Sequence, residues 1–221
     1  MSTLTGYRGL RRTTSREALL AAAAELMGKR GLADVSIDEI VARAGVAKGT
    51  FYNHFKDKQD IAHHIALGIR YEIRDRIGML KLRSNDPALH LAIALSLFLS
   101  LAVESPQRAR MLVTLLSDAT ALGAPMNARV RMTLEAGQAS GRFLFPSLEA
   151  ALVFVLGIVA GGVQSILERP QNTVREDLVL NLIRHALIGL GLPAAEAAQT
   201  ATAGLAEISV SDAPESPIDL K

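Results

Sequence analysis

Residues 45–55, GVAKGTFYNHF, set a lysine, a threonine, a tyrosine, an asparagine and a histidine within positions 48–54. Three aromatics fall in five positions, in a chain where Phe, Tyr and Trp make up only 4% of residues. Such side chains donate and accept hydrogen bonds and carry one permanent cation. A phosphate-cradling loop would need its lysine directly after the second glycine and a strand before the first. Here Lys48 precedes Gly49, and the preceding residues read as helix, so that motif fails. Metal chemistry has little to build on: the chain has no cysteine, and the adjacent His63 and His64 lack the i,i+4 spacing that puts two ligands on one helix face. No nucleophile–base arrangement is evident, so neither an enzyme nor a bound cofactor or metal is expected. A buried turn and a surface that reads a polar partner remain.

The flanking punctuation decides what holds these residues. Thr14-Ser-Arg-Glu17 and Ser36-Ile-Asp-Glu39 are capping boxes, each opening a helix by satisfying free backbone N–H groups. The first helix should carry Leu19, Ala22, Ala23 and Leu26 on one face and end at Gly28 and Gly31. The second should stop at Gly45, and a short third should run from Ala47 to about Phe55, because Asp57 caps a new helix. Two short helices joined at a glycine, with a third packed against them, form a helix-turn-helix. With Phe51 and Phe55 facing inward, Gly49 and Asn53 point outward, Thr50 and Tyr52 flank them, and Lys48 falls nearer the inner side. A small, hydrogen-bonding outer face suits close approach to a phosphodiester backbone and base edges. Lys58 adds a cation at a helix start that itself favours phosphate.

Charge supports the same end of the chain. The net charge is only +2, yet residues 1–60 hold ten Lys and Arg against seven Asp and Glu, and residues 61–221 hold fourteen against fifteen. Arg8, Arg11, Arg12 and Arg16 precede any acid, as if one end meets a polyanion. No signal-peptide pattern opens the chain, and with the lack of cysteine this fits the cytoplasm.

The remainder reads as helix throughout, with no persistent period-two pattern. A long helix is expected from Asp57 to about Leu80, then helices from Pro87 to Glu104, Pro106 to about Leu122, and 126 to 140. Pro146 should open the next, through Glu168, followed by 173–190 and a last helix from Pro193 to about Ile208. The runs 87–103 and 150–167 are nearly free of charge, but short or borderline for crossing a bilayer and interrupted by His90, Ser96 and Gln164, so buried helices are expected instead of membrane spans.

Residues 15–65 resemble the DNA-binding domain of the TetR (tetracycline-repressor-like) family. The matching block runs from ALLAAAAELMGKRGLADVS through IDEIVARAGV and KGTFYNHF to Lys58. Beyond it the likeness is one of helix order and a Gly-Arg-Phe at 141–143. Two positions depart from the family's pattern: Val41 stands where alanine is usual, and Ala47 stands where a serine often caps the recognition helix. The resemblance implies an all-α protein with a three-helix helix-turn-helix domain (14–59) behind a basic arm (1–13). A long helix joins it to a larger effector-binding and dimerisation domain (60–208), followed by a disordered tail (209–221). It further implies that Lys48, Gly49, Thr50, Tyr52, Asn53 and His54 form the reading surface and that Ser36 and Lys58 hold the DNA backbone. Thr50 and Asn53 would contact bases.

One short recognition helix reads too few base pairs for operator-level specificity, so a homodimer reading two half-sites of double-stranded operator DNA is expected. Gly157, Ala160 and Gly161 have the small-residue spacing that lets helices approach closely, with Leu178, Leu182 and His185 on the partner helix. Ile93, Leu97, Leu101, Met111, Leu115 and Met132 offer a deformable lining for a largely apolar small-molecule effector, with His90, Asp118 and Gln164 as polar anchors. The expectation is a transcriptional regulator, a repressor released by its effector. A small-molecule carrier or membrane-associated protein without specific DNA binding is the alternative, and it leaves residues 14–59 without a purpose.

Overall fold

A computed structural model describes residues 14–79, 84–116, 127–169 and 176–211, apart from the side chains of 113–116, 176 and 209–211. The arm at 1–13, the GAP break at 123–125, Asp118 and the residues after 211 lie outside the described residues, as does the side chain of Leu115. Ten helices and no strand are present among the described residues. They fall into two compact units, Met1–His64 and Ile65–Lys221.

In the first unit, α1 (Ser15–Arg30), α2 (Ile37–Ala44) and α3 (Lys48–His54) pack on one another, and Ile61 and Ala62 at the start of α4 (Lys58–Met79) are buried. Both expected capping boxes form: Thr14 Oγ1 accepts from Glu17 N at 3.2 Å, and Ser36 Oγ accepts from Glu39 N at 3.2 Å. Gly31, at φ 90°, caps α1, whereas Gly28 is buried inside the helix and does not end it. Leu19, Ala23, Met27, Ile40, Phe51 and Ile61 are wholly buried. Ile61 and Ala62 belong to this core, which explains why the unit continues to His64 and does not stop at residue 59.

The second unit is built around α5 (Pro87–Glu104), which packs against α6 (Pro106–Leu116), α7 (Ala128–Ala139), α8 (Leu148–Glu168), α9 (Glu176–Gly189) and α10 (Ala194–Ser211). By length and composition α5 and α8 could each cross a membrane. Here α5 is the helix the others surround, and α8 packs on α5, α6, α7 and α9. α10 lies close along α5: a Cβ on Gly204 would meet the Ala92 Cβ at 2.7 Å, so glycine is required there. Arg142, in the α7–α8 loop, grips both carboxylate oxygens of Asp86 at 2.8 and 2.9 Å and Glu196 at 2.7 Å. It thereby ties the N-cap of α5 to the first turn of α10. Two expected ends shift. α8 begins at Leu148, because the side chain of Ser147 caps it and Pro146 lies ahead of the cap; α10 continues to Ser211.

Candidate nucleic-acid interface

The turn between α2 and α3 rests on Gly45, whose left-handed conformation (φ 68°, ψ 34°) a side chain would strain. Its N–H donates to Ala42 O at 3.3 Å, and that of Val46 to Val41 O at 3.1 Å, closing α2 and redirecting the chain into α3. Val41 is accommodated at 8% exposure. Ala47 caps α3 in the extended conformation but offers no side-chain hydrogen bond, so the hydroxyl absent from the sequence is absent from the geometry. Phe51 and Phe55 anchor the inner face of α3, their ring centroids 5.7 Å apart. The guanidinium of Arg16 covers the Phe55 ring at 5.4 Å, and His64 meets its edge.

On the opposite face Lys48, Gly49, Tyr52, Asn53 and His54 are exposed and Thr50 is half-buried. The side chains of Thr50, Tyr52, Asn53 and His54 find no hydrogen-bond partner among the described residues, so their polar atoms are uncommitted. Gly49 is in ordinary helical conformation, and a Cβ there would meet nothing within 4 Å. The head itself has no need of a glycine at this position.

The other three expected contact residues are engaged within the protein. Lys48 is exposed and not turned inward as the helix wheel suggests, and its Nζ lies 2.7 Å from Asp38 Oδ1. This pair raises the lysine's pKa, chiefly through the hydrogen bond and then through the charge of Asp38. Lys58 donates to Ala33 O at 3.0 Å, stapling the α1–α2 connection to the start of α4. Ser36 is occupied in its capping box, and Glu39, which also accepts from Arg30 at 2.8 Å, has its pKa lowered to about 2, first by the Ser36 backbone N–H. Asp38 was not anticipated as part of this surface. The signal was available, since an acid in the first turn of α2 faces the first residue of α3 once the turn at Gly45 folds.

The residues expected to line an effector site are not all brought together. Ile93, Leu97, Leu101 and Met111 are buried in the core of the second unit, with Ile93 beside Gly204 of α10. Met132 is 63% exposed, and Gln164 is exposed on α8 with its amide donating to Glu168 at 2.6 Å, so neither shares that core. The His90 ring is engaged by Ser84 O at 2.9 Å. Of the expected partner-facing residues, Gly157, Gly161 and His185 are exposed, and Ala160, Leu178 and Leu182 are half-buried. Val153, Phe154 and Ile188 are exposed on the same two helices.

A two-helix reader with a glycine turn and a polar outer face defines a helix-turn-helix DNA-binding domain. The sequence profile described as "Bacterial regulatory proteins, tetR family" matches residues 19–65. Over those residues the chain is similar to the DNA-binding domain of that family of regulators. It is 39% identical over 61 residues to the HTH-type transcriptional regulator YvdT of Bacillus subtilis (strain 168), covering 28% of this chain and 31% of that protein. It is 36% identical over 78 residues to the HTH-type transcriptional repressor BepR of Brucella suis biovar 1 (strain 1330), covering 35% and 37%. The match thus spans about a third of these curated relatives. The fold likeness is broader: the crystal structure of RolR in complex with resorcinol superposes with a TM-score of 0.66 at 26% identity, over 85% of this chain and 93% of that one. TylP, a tetR regulator from Streptomyces fradiae, gives 0.63 at 22% identity, over 92% and 98%.

Proposed function

We propose that this chain is a sequence-specific DNA-binding transcriptional regulator, a repressor that leaves its operator when a small, largely apolar effector binds the second unit. The observation that carries the reading is the outer face of α3, where four polar side chains with no hydrogen-bond partner among the described residues flank a glycine that packing does not require. Thr50 and Asn53 contact bases, while Tyr52 and His54 reach phosphates. Ser36 and Lys58 serve at the margins, exchanging an internal partner for DNA, and Lys48 stands beside them at the start of α3.

The regulator acts as a homodimer in the cytoplasm, where its DNA is. The exposed apolar side chains of Val153, Phe154 and Ile188, beside Gly157 and Gly161, support α8 and α9 as the contact surface. RolR, solved with resorcinol, supports a small effector with an apolar ring and few polar groups. The apolar core around Ile93, Leu97, Leu101 and Met111 supports an effector of that character. A coupling of about 1–3 kcal/mol between effector and operator would change DNA affinity roughly 5–150-fold.

The test is to sequence the genomic fragments that the protein retains, then to measure the same fragments with Tyr52 and Asn53 both changed to Ala. The double variant should lose operator binding and keep its oligomeric state. Unchanged operator affinity would overturn the assignment of the reading face.

A further inference from the structure

Asp38 stands in the first turn of α2, where an acid favours the helix dipole, and its carboxylate also reaches across to the first residue of α3. Helix α2 already has a capping acid in Glu39, which closes the box with Ser36, so Asp38 is not needed for that role. Its side chain is 70% exposed, and its contact with Lys48, itself 54% exposed, is a surface ion pair of the kind that contributes little to stability. The pair nevertheless occupies the cation that stands first on the recognition helix, next to Gly49 and Thr50.

We infer that Asp38 sets the affinity of the reading surface: its carboxylate holds Lys48 away from phosphate and so lowers affinity for duplex DNA in general. The inference rests on the reading of α3 as the DNA-binding helix. Phosphate contacts supply affinity without sequence information, whereas base-edge contacts discriminate. For Lys48 to neutralise a phosphate it must leave Asp38, and the carboxylate left behind then faces the polyanion. Both effects weaken binding to any sequence equally, so discrimination falls to the uncommitted groups of Thr50, Tyr52, Asn53 and His54. A repulsive element of this kind lowers affinity for every duplex alike, and removing it adds a phosphate contact without changing which bases are read.

The experiment measures binding of the full chain to a random-sequence duplex across a salt series, for the wild type, Asp38→Asn, Asp38→Glu, Lys48→Gln and the double variant Asp38→Asn/Lys48→Gln. The Asp38→Asn protein should bind about two- to fivefold tighter, the range expected for releasing an exposed ion pair. The slope of log affinity against log salt should steepen by about 0.9, the signature of one more neutralised phosphate. Asp38→Glu should restore wild-type behaviour, and in the Lys48→Gln background the gain from Asp38→Asn should be lost. Circular dichroism melts verify that each variant is folded, and a purely structural role for Asp38 would not move the salt slope. An equal gain in the Lys48→Gln background, or no gain with a wild type that binds DNA, would overturn the inference alone. A wild type with no salt-dependent duplex binding would overturn the regulator reading, and the inference with it.

Discussion

Replacing Gly49 with Ala should make the protein more stable and a poorer DNA binder. Glycine in a helix costs about 0.5–1 kcal/mol relative to alanine, because its unfolded chain has more freedom to lose. Gly49 is the second residue of α3, where the lower end of that range applies, and the added methyl would meet no atom within 4 Å. The expected gain is therefore about 0.5 kcal/mol, or roughly 1–2 °C in melting temperature for a chain of this size. On DNA the same methyl enters the gap between the helix and the groove. If that gap is close-packed, overpacking by one methyl costs about 1–3 kcal/mol. Affinity should then fall roughly five- to 150-fold, since about 1.4 kcal/mol is a factor of ten.

The assay pairs thermal melts followed by circular dichroism with fluorescence anisotropy on a retained operator fragment. Gly45→Ala is the contrasting control: at φ 68° a side chain is strained, so that variant should lose stability as well as binding. If Gly49→Ala is stabilised and binds operator within twofold of wild type, α3 does not approach the duplex by this face. The argument from an unneeded glycine would then fail.

Ala47→Ser should restore a cap hydroxyl to α3, whose cap residue already has the extended conformation (φ −71°, ψ 151°), and raise stability by about 0.5–1 kcal/mol in urea unfolding. Acid should unfold the protein through its engaged carboxylates. Asp86 has its pKa lowered chiefly by the hydrogen bond from Arg142, and Glu39 is held near 2. Groups with depressed folded-state pKa values contribute stability above the ordinary carboxylate value and lose it as pH falls through the depressed one. Melting temperature should therefore hold between pH 7 and 5 and drop below about pH 4. Asp86→Asn should cost about 1–2 kcal/mol at neutral pH and flatten that acid limb; an unchanged acid limb would show that Asp86 is not one of the groups responsible. Removing residues 1–12, and with them Arg8, Arg11 and Arg12, should reduce the salt slope of DNA binding by up to about 2.7 while leaving sequence preference in place.

The features legible in the sequence are those encoded within a few residues. The Thr14–Glu17 and Ser36–Glu39 boxes, the glycine at 45 and the inward pair Phe51 and Phe55 each act over one turn of helix, and each forms as its residues dictate. Where a local rule had a neighbouring competitor it misled: Pro146 is a good first helical residue, but the hydroxyl of Ser147 satisfies the Ala150 N–H and sets the start of α8 at Leu148, two residues later. What the sequence hid is long-range. Arg142 meets Asp86 and Glu196, 56 and 54 residues away, and Lys58 meets Ala33 O, 25 residues away. No spacing rule specifies such partners. For the same reason, Met132 and Gln164 could be named as pocket lining from type alone while their helices turn them to the surface.

The charge on the head bears on how such a protein would divide affinity from specificity. Residues 14–64 contain Arg16, Lys29, Arg30, Arg43, Lys48, Lys56 and Lys58 against Glu17, Glu25, Asp34, Asp38, Glu39, Asp57 and Asp60, so the folded head is formally neutral. Several of its cations are engaged at short range: Lys29 and Arg43 on Glu25 at 3.0 and 2.6 Å, Arg30 on Glu39 at 2.8 Å, and Lys48 on Asp38 at 2.7 Å. A neutral head gains little from counterion release, which supplies most non-specific affinity. The basic surplus of the first sixty residues comes instead from Arg8, Arg11 and Arg12, ahead of the head in the chain. On the proposed reading, attraction to the polyanion and recognition of its bases would fall to different segments, so mutations in one should change salt dependence and mutations in the other should change sequence preference.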